Sequence, residues 1–196
     1  MLESGIADYL DHDTTMMLAR DGSAAIRLHV AATSASFPDV LALLSRDADS
    51  DVRMMTAGNP ATPMGILVNL ASDVITVREA AAGNRMMPLD VLFRLARDAV
   101  PPVRSSVAGN ASAPPDLLAT LSTDDVPDVR EEIASNQNTP ASVLVTLSDD
   151  PIISVRTHVA GNKKTPRYVI LKLMEDASIY VRSAAQKSWI SSKVVS

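Results

Sequence analysis

The chain has 196 residues, 46% of them hydrophobic and 21% charged, with a net charge of −5; this balance excludes a disordered chain and fits a packed globular one. It contains no cysteine, which excludes disulfides, thiolate metal sites, iron–sulfur clusters and cysteine nucleophiles. No run of 18 apolar residues occurs, and Met1 to Gly5 lack the basic and apolar regions of a signal peptide, so the expectation is a cytoplasmic protein without a membrane span.

Residues 1–20 carry Leu2, Ile6, Tyr9, Leu10, Met17 and Leu18, a spacing that predicts one or two helices closing the first layer of the fold. Beyond residue 20 the chain repeats itself. A Val/Ile–Arg pair recurs at Ile26-Arg27, Val52-Arg53, Val77-Arg78, Val103-Arg104, Val129-Arg130, Val155-Arg156 and Val181-Arg182, each step being 26 residues except one of 25. A fixed period of this size is the signature of a solenoid, in which each unit is one supersecondary element stacked on the next. The expected organisation is a single helical-repeat domain over 1–196, with an N-terminal cap over 1–20, repeats over 21–182 and a C-terminal cap over 183–196.

Within each unit the first predicted helix carries the Val/Ile–Arg pair. Six residues before the arginine, or five in one unit, stands an aspartate: Asp21, Asp47, Asp73, Asp98, Asp124, Asp150 and Asp176. Small residues come three and four after it, among them Ala81-Ala82, Val107-Ala108 and Val159-Ala160, completing an apolar stripe at helical spacing. The aspartate reads as the N-cap, and Pro101, Pro127 and Pro151 fall early in the first turn, where a missing N–H costs nothing. Gly58-Asn59, Gly83-Asn84, Gly109-Asn110, Ser135-Asn136 and Gly161-Asn162 read as left-handed helix terminators. The helix is then about ten residues, too short to persist alone.

The second helix of each unit opens at Thr62-Pro63, Met87-Pro88, Ala113-Pro114, Thr139-Pro140 and Thr165-Pro166, with Thr or Ala at the cap and Pro in the first turn. It carries the leucines, such as Leu67 and Leu70 or Leu144 and Leu147, and is apolar around much of its circumference, which predicts burial between neighbouring units. After Ala185 the Asn and Pro marks stop, and Trp189 and Ile190 are expected to cover the last layer.

The unit running from Val155-Arg156 through Asn162 and Thr165-Pro166 to Leu173 and Asp176 resembles the leucine-rich repeat variant repeat, and the resemblance spans roughly residues 14–186. It implies an all-α fold: a right-handed α-solenoid superhelix of about seven two-helix units, α and 3₁₀ or α and α, with a HEAT/armadillo-like architecture and a Val-Arg helix tighter than an ideal α-helix. The family's best-known member carries a cysteine-bound iron–sulfur cluster, which a chain without cysteine does not inherit. The first unit diverges, with Thr33 in the asparagine column and Phe37 in the proline column.

The arginines Arg27, Arg53, Arg78, Arg104, Arg130, Arg156 and Arg182 could track a phosphate backbone. Seven aspartates keep step with them, however, and a residue six away on a helix lies off the arginine's face. Each arginine is better placed to meet a carboxylate or helix-end carbonyl of an adjacent unit, so arginines and aspartates together read as a structural ladder. His29 and His158 lie five units apart and cannot share a metal; His12 beside Asp11 and Asp13 reads as polar surface. No nucleophile elbow, phosphate loop or metalloprotease motif occurs. The expectation is a non-enzyme with no cofactor and no metal.

The feature that breaks the repeat is charge. Residues 1–155 hold 10 Lys and Arg against 21 Asp and Glu, net −11, whereas residues 156–196 hold eight against two, net +6. The basic end gathers Lys163, Lys164, Arg167, Tyr168 and Lys172, the candidate binding residues, joined by Lys187 and Lys193; solubility is the competing explanation. A second irregularity is Met54-Met55, Met64 and Met86-Met87, read as core filling or an adaptable apolar patch. The partner expected is another protein or peptide held on a solenoid surface, with the chain acting as a scaffold. Nucleic acid on the basic units is the alternative, disfavoured by a pI of 5.1 and few aromatics. The charge asymmetry also permits head-to-tail self-association.

Overall fold

The computed structural model describes residues 11–33 and 37–194; Leu2, Ile6, Tyr9 and Leu10 of the expected cap, and the side chain of Lys193, lie outside the described residues. Every regular element among the described residues is an α-helix. In chain order these are α1 (His12–Leu18), α2 (Ala24–Thr33), α3 (Pro38–Leu44), α4 (Ser50–Gly58), α5 (Met64–Leu70), α6 (Ile75–Gly83), α7 (Leu89–Leu95), α8 (Pro101–Gly109), α9 (Pro115–Leu121), α10 (Pro127–Ser135), α11 (Ala141–Leu147), α12 (Ile153–Gly161), α13 (Arg167–Leu173) and α14 (Ile179–Val194). The chain forms two compact units, Met1–Val103 and Arg104–Ser196, with the boundary inside α8.

Both units are built the same way. The Val-Arg helices stack on one another, α2 on α4 on α6 in the first unit and α10 on α12 on α14 in the second. Their contact surface is the small-residue stripe: Val52, Ala57, Val77, Ala81 and Ala82 in one unit, and Val129, Ile133, Ala134, Val155, Val159 and Ala160 in the other, have no exposed surface. Short side chains let adjacent helices approach closely, which is why aromatics, at 3% of the chain, are not needed. The seven-residue second helices flank the stack and turn leucines inward, with Leu67, Leu92, Leu118 and Leu144 fully buried. Burying each such side chain contributes roughly 1.5–3 kcal/mol, and that packing holds helices of seven to ten residues that would melt in isolation.

Five local expectations need correction. The Val-Arg helices are α rather than 3₁₀; tighter i→i+3 bonds occur at their ends, as where the Val77 N–H reaches the Val74 carbonyl at 3.1 Å and the Asn84 N–H the Ala81 carbonyl at 3.1 Å. The column aspartate is not the N-cap. The helix starts two or three residues later, capped at Asp49, Val74, Val126 and Ile152, while the aspartate closes a small turn by accepting the N–H two residues on, as Asp150 does from Ile152 at 2.9 Å. Its carboxylate thereby stays aimed at a neighbouring repeat. The second helix is capped by proline itself, at Pro63, Pro88, Pro114, Pro140 and Pro166. The threonine before it reaches back instead, Thr139 donating to the Ile133 carbonyl at 2.6 Å and Thr62 to the Thr56 carbonyl, and so satisfies an orphan carbonyl at the end of the first helix. The second helix is also one-sided: Val91, Leu92 and Leu95 of α7 are buried, whereas Leu89 on the same helix is exposed.

The fifth correction concerns Gly-Asn. No described residue has a positive φ; the glycine is the last helical residue and the asparagine comes next in extended conformation, Asn59 at φ −66° and ψ 125°. The asparagine side chain is buried and stitches repeat to repeat. Asn84 Nδ2 donates to the carbonyls of Ala57 and Asn59, both at 2.8 Å; Asn136 does the same to Ala108 and Asn110 at 2.7 and 3.0 Å; and Asn162 to Ala134 and Asn136 at 2.8 and 3.0 Å. Meanwhile Oδ1 accepts the N–H two residues on, from Met86, Asn138 and Lys164. A buried amide with every group satisfied specifies one register of stacking.

Two predictions separate the members of this dipeptide. A Cβ at Gly83 would meet nothing within 4 Å, so Gly83→Ala should raise stability by up to about 1 kcal/mol through helix propensity and a less entropic unfolded chain. Asn136→Ala, which takes the amide donor from the Ala108 carbonyl and the acceptor from the Asn138 N–H while the Asn110 carbonyl keeps the Ala113 N–H, should lower it by about 2–4 kcal/mol. Urea denaturation of the two variants checks both signs.

Candidate functional site

Each arginine of the ladder except Arg182 holds the aspartate of the next repeat, 20 residues ahead in sequence. Arg27 meets Asp47, Arg53 meets Asp73 and Arg78 meets Asp98 in the first unit; Arg104 meets Asp124, Arg130 meets Asp150 and Arg156 meets Asp176 in the second. Every one of these pairs is bidentate through Nε and Nη2, for example Arg156 to Asp176 at 2.7 and 3.0 Å, the fork geometry that a lysine cannot reproduce. The remaining nitrogen, Nη1, donates to the backbone carbonyl of the aspartate of its own repeat, Arg53 to Asp47, Arg130 to Asp124 and Arg156 to Asp150, each at 2.7 Å.

Within a unit an interior aspartate such as Asp47 or Asp150 thus serves two arginines, one with its carboxylate and the next with its carbonyl. The single 25-residue step leaves this linkage intact. It removes one residue between Asp73 and Arg78, and the aspartate turn tightens so that Asp73 Oδ1 accepts the N–H of Val74, at 2.7 Å, while Arg78 keeps both Asp73 and Asp98.

The pairs are largely shielded from solvent; the Asp150 side chain is 5% exposed and that of Arg130 13%. The Arg27, Arg53, Arg104 and Arg156 guanidiniums hold Asp47, Asp73, Asp124 and Asp176 below the usual carboxylate value. At Asp150 burial pushes the carboxyl up most strongly, but the hydrogen bonds from Arg130 and the Ile152 N–H, together with the positive charges of Arg130 and Arg156, outweigh it, and the net direction is again down. A guanidinium so engaged has already committed the fork that would grip a phosphate, which removes the ladder as a backbone-tracking surface.

The five residues of the basic end fall into two sets. Lys163, Lys164 and Tyr168 are exposed on and beside the loop that leads into α13. Arg167 stacks its guanidinium 4.1 Å from the Trp189 ring centroid, a cation–π contact, and Lys172 is drawn off to Asp149 at 2.6 Å and Ser148 at 3.2 Å. Lys172 lines an open cleft of about 480 Å³ together with Asp149, Asp150, Arg156, Glu175 and Asp176; acids outnumber bases on its walls, so it is not a basic binding site. Trp189 is half-buried beneath Arg167, while Ile190 is 64% exposed. Of the methionines, Met87 is buried and Met55 packs on the first unit's core, whereas Met64 and Met86 face solvent.

His12 Nε2 lies 2.7 Å from Asp39 Oδ2 and its ring packs edge-on against Phe37, so this histidine ties α1 to α3. Among the described residues no group of three metal-ligating side chains converges, and no helix is long and apolar enough to cross a membrane.

The architecture has known counterparts. A solved structure described as a leucine-rich repeat variant with a novel repetitive structural motif is similar to this chain with a TM-score of 0.62 and 27% sequence identity, over 93% of this chain and 73% of that one. The chain is a helical-repeat protein similar to the leucine-rich repeat variant. The E. coli protein YibA is similar in fold, with a TM-score of 0.59 and 18% identity over 91% of this chain and 81% of that one. No family model matches the chain, and no curated protein does.

For this helical-repeat protein the asparagine column is the recurring site that sequence reading assigned to the wrong role. The signal was present: the glycine gives way to Ser135 while the asparagine beside it stays, at Asn136, which is the pattern of a side chain in use next to a backbone position that is not.

The ladder carries its own pH signature. Because the carboxyls of Asp47, Asp73, Asp124, Asp150 and Asp176 titrate lower folded than unfolded, they stabilise the fold fully above about pH 4, the ordinary aspartate value, and that stabilisation is lost as the pH falls from there through their depressed folded values. Arg130→Ala should cost about 2–3 kcal/mol at neutral pH, between the cost of breaking an exposed and a fully buried pair. It should also flatten the acid limb of a plot of Tm against pH, since Asp150 then loses the guanidinium that depresses it. An unchanged acid limb would show that Asp150 draws no stabilisation from Arg130.

Proposed function

We propose that the protein is a non-enzymatic protein–protein interaction or scaffold module, and that an acidic protein or peptide is received on its basic C-terminal repeat. The helical-repeat fold supports the general reading, because stacked repeats offer an extended surface whose outer positions vary freely while the inner ones hold the stack. The observation that carries the finer reading is the contrast within the repeat. The recurrent polar groups, Arg, Asp and Asn, are bonded between repeats, whereas Lys163 and Lys164 are exposed and sit in columns that elsewhere hold neutral residues or, once, Arg85. Tyr168, 64% exposed, adds an aromatic surface beside them, and the Arg167–Trp189 stack fixes the first turn of α13 from which it projects.

Two lysines and a tyrosine next to a rigid helix start suit carboxylate side chains with an apolar neighbour. Affinity capture from native lysate, with and without nuclease, compares the unaltered protein with the Lys163→Glu, Lys164→Glu variant. The reading predicts a nuclease-resistant protein partner whose recovery falls about tenfold or more in the variant, equivalent to about 1.4 kcal/mol per decade, with an unchanged melting curve because neither side chain joins a rung. Partners lost wholly to nuclease would replace it with a nucleic-acid reading.

A further inference from the structure

Among the described residues the ladder has two unmatched halves. Arg182 is anchored like the arginines before it, Nη1 donating to the Asp176 carbonyl at 2.6 Å and the Ala177 carbonyl at 2.8 Å, the counterpart of Arg156 on the Asp150 and Pro151 carbonyls. Its Nε and Nη2, the atoms with which Arg156 grips a carboxylate, meet no carboxylate among the described residues. At the other end Asp21 is set like the aspartates after it: its carboxylate accepts the Ser23 N–H at 2.7 Å and its carbonyl holds Arg27 at 2.8 Å, yet among the described residues no guanidinium grips that carboxylate. One end presents a pre-aimed fork and the other a pre-aimed carboxylate.

The helices are unmatched in the same sense. α1 is a seven-residue helix with Asp21 after it, as α3 has Asp47, so it is the second helix of a repeat with no first helix before it among the described residues. α14 starts as a first helix, carrying Val181-Arg182, and runs to Val194 with no second helix behind it among those residues. The apolar columns agree. Ile26 is 38% exposed, whereas Val52, Val77, Val103, Val129, Val155 and Val181 in its column have no exposed surface. At the far end Ile179 and Tyr180 are exposed at 65% and 73%. Charge favours the same match, since the segment containing Asp21 belongs to the acidic stretch and the one containing Arg182 to the basic stretch.

We propose that a second copy of this chain docks head to tail, α1 of one copy serving as the second helix for α14 of another and Asp21 closing the rung on Arg182. A contact of this kind is heterologous, the same surface never meeting itself, so it propagates to further copies or closes into a ring. It does not rest on the basic loop of Lys163 and Lys164, and either can fail alone. The rung is the element that makes the match specific, because an unaligned carboxylate gains little from an exposed guanidinium, while a bidentate partner at a preset fork loses less side-chain freedom on binding.

Sedimentation equilibrium of the full chain over a concentration series tests this. The unaltered protein is expected to show a weight-average mass above the 20.8 kDa monomer, rising with concentration and falling back as salt is added. Arg182→Asp and Asp21→Arg alone should each sediment as monomers, since their ends then carry like charges, and an equimolar mixture of the two should associate again because a junction between them regains one acid and one base. Circular dichroism spectra matching the unaltered protein, with cooperative melting, confirm that the variants are folded, loss of association itself lowering the melting temperature. A monomer at every concentration, single variants that associate as the unaltered protein does, or a mixture that stays monomeric would each overturn the proposal.

Discussion

The bidentate arginine–aspartate rung is the constraint on which the rest of the repeat depends. A helix of nine residues packed through alanine and valine has no bulky knob to fix its axial position, so the register between neighbouring layers needs a polar device. The guanidinium supplies it. Its planar fork fits a carboxylate in one orientation, and its third nitrogen bonds back to the repeat from which it came, so the relative placement of Arg130, Asp124 and Asp150 is set by three groups at once. Sharing an interior aspartate between two arginines turns separate ion pairs into a connected line within each unit. Connected, partly buried charges are screened less by salt than exposed pairs are.

The asparagine column works with that line from the opposite end of the same helix. Asn84, Asn136 and Asn162 bind the last carbonyls of the preceding repeat, and the threonine hydroxyls of Thr62, Thr139 and Thr165 bind those of their own. Helix ends that would leave orphan carbonyls are therefore closed without any left-handed residue. Stability in such a stack is a sum of nearest-neighbour terms, so each rung and each asparagine contributes locally and the outer columns are released from structural duty. That release is what allows Lys163, Lys164 and Tyr168 to differ from their column mates, and it is the physical basis for locating recognition there.

Much of this was legible in the residues. The period gave the two-helix unit, the small-residue stripe gave the first-helix interface, and the mismatch between a six-residue offset and the helical turn pointed the arginines away from their own aspartates and toward another repeat. What could not be read was which bond each polar side chain makes once layers are stacked. Asp, Thr and Asn at helix boundaries are ordinary capping residues, and their sequence positions suit capping equally well; only the arrival of a neighbouring repeat diverts Asp150 to Arg130 and Asn136 to Ala108. The exposure of Met64 beside the burial of Met87 was illegible for a similar reason, since both lie at the opening of a second helix and differ only in the side of the proline on which they fall. For the basic end, sequence marked the charges, but the withdrawal of Lys172 onto Asp149 and of Arg167 onto Trp189 depended on contacts between helices.

Recurring charges that act as coupled pairs between repeats have a direct thermodynamic signature. A double-mutant cycle on Arg130 and Asp150, with each residue replaced by alanine singly and together and stability read by urea denaturation, measures that coupling. The predicted result is that the double variant loses clearly less than the two single losses combined, with an interaction energy within the range of about 0.5–3 kcal/mol seen for contacting residues. Losses that simply add, or single variants as stable as the unaltered protein, would contradict it.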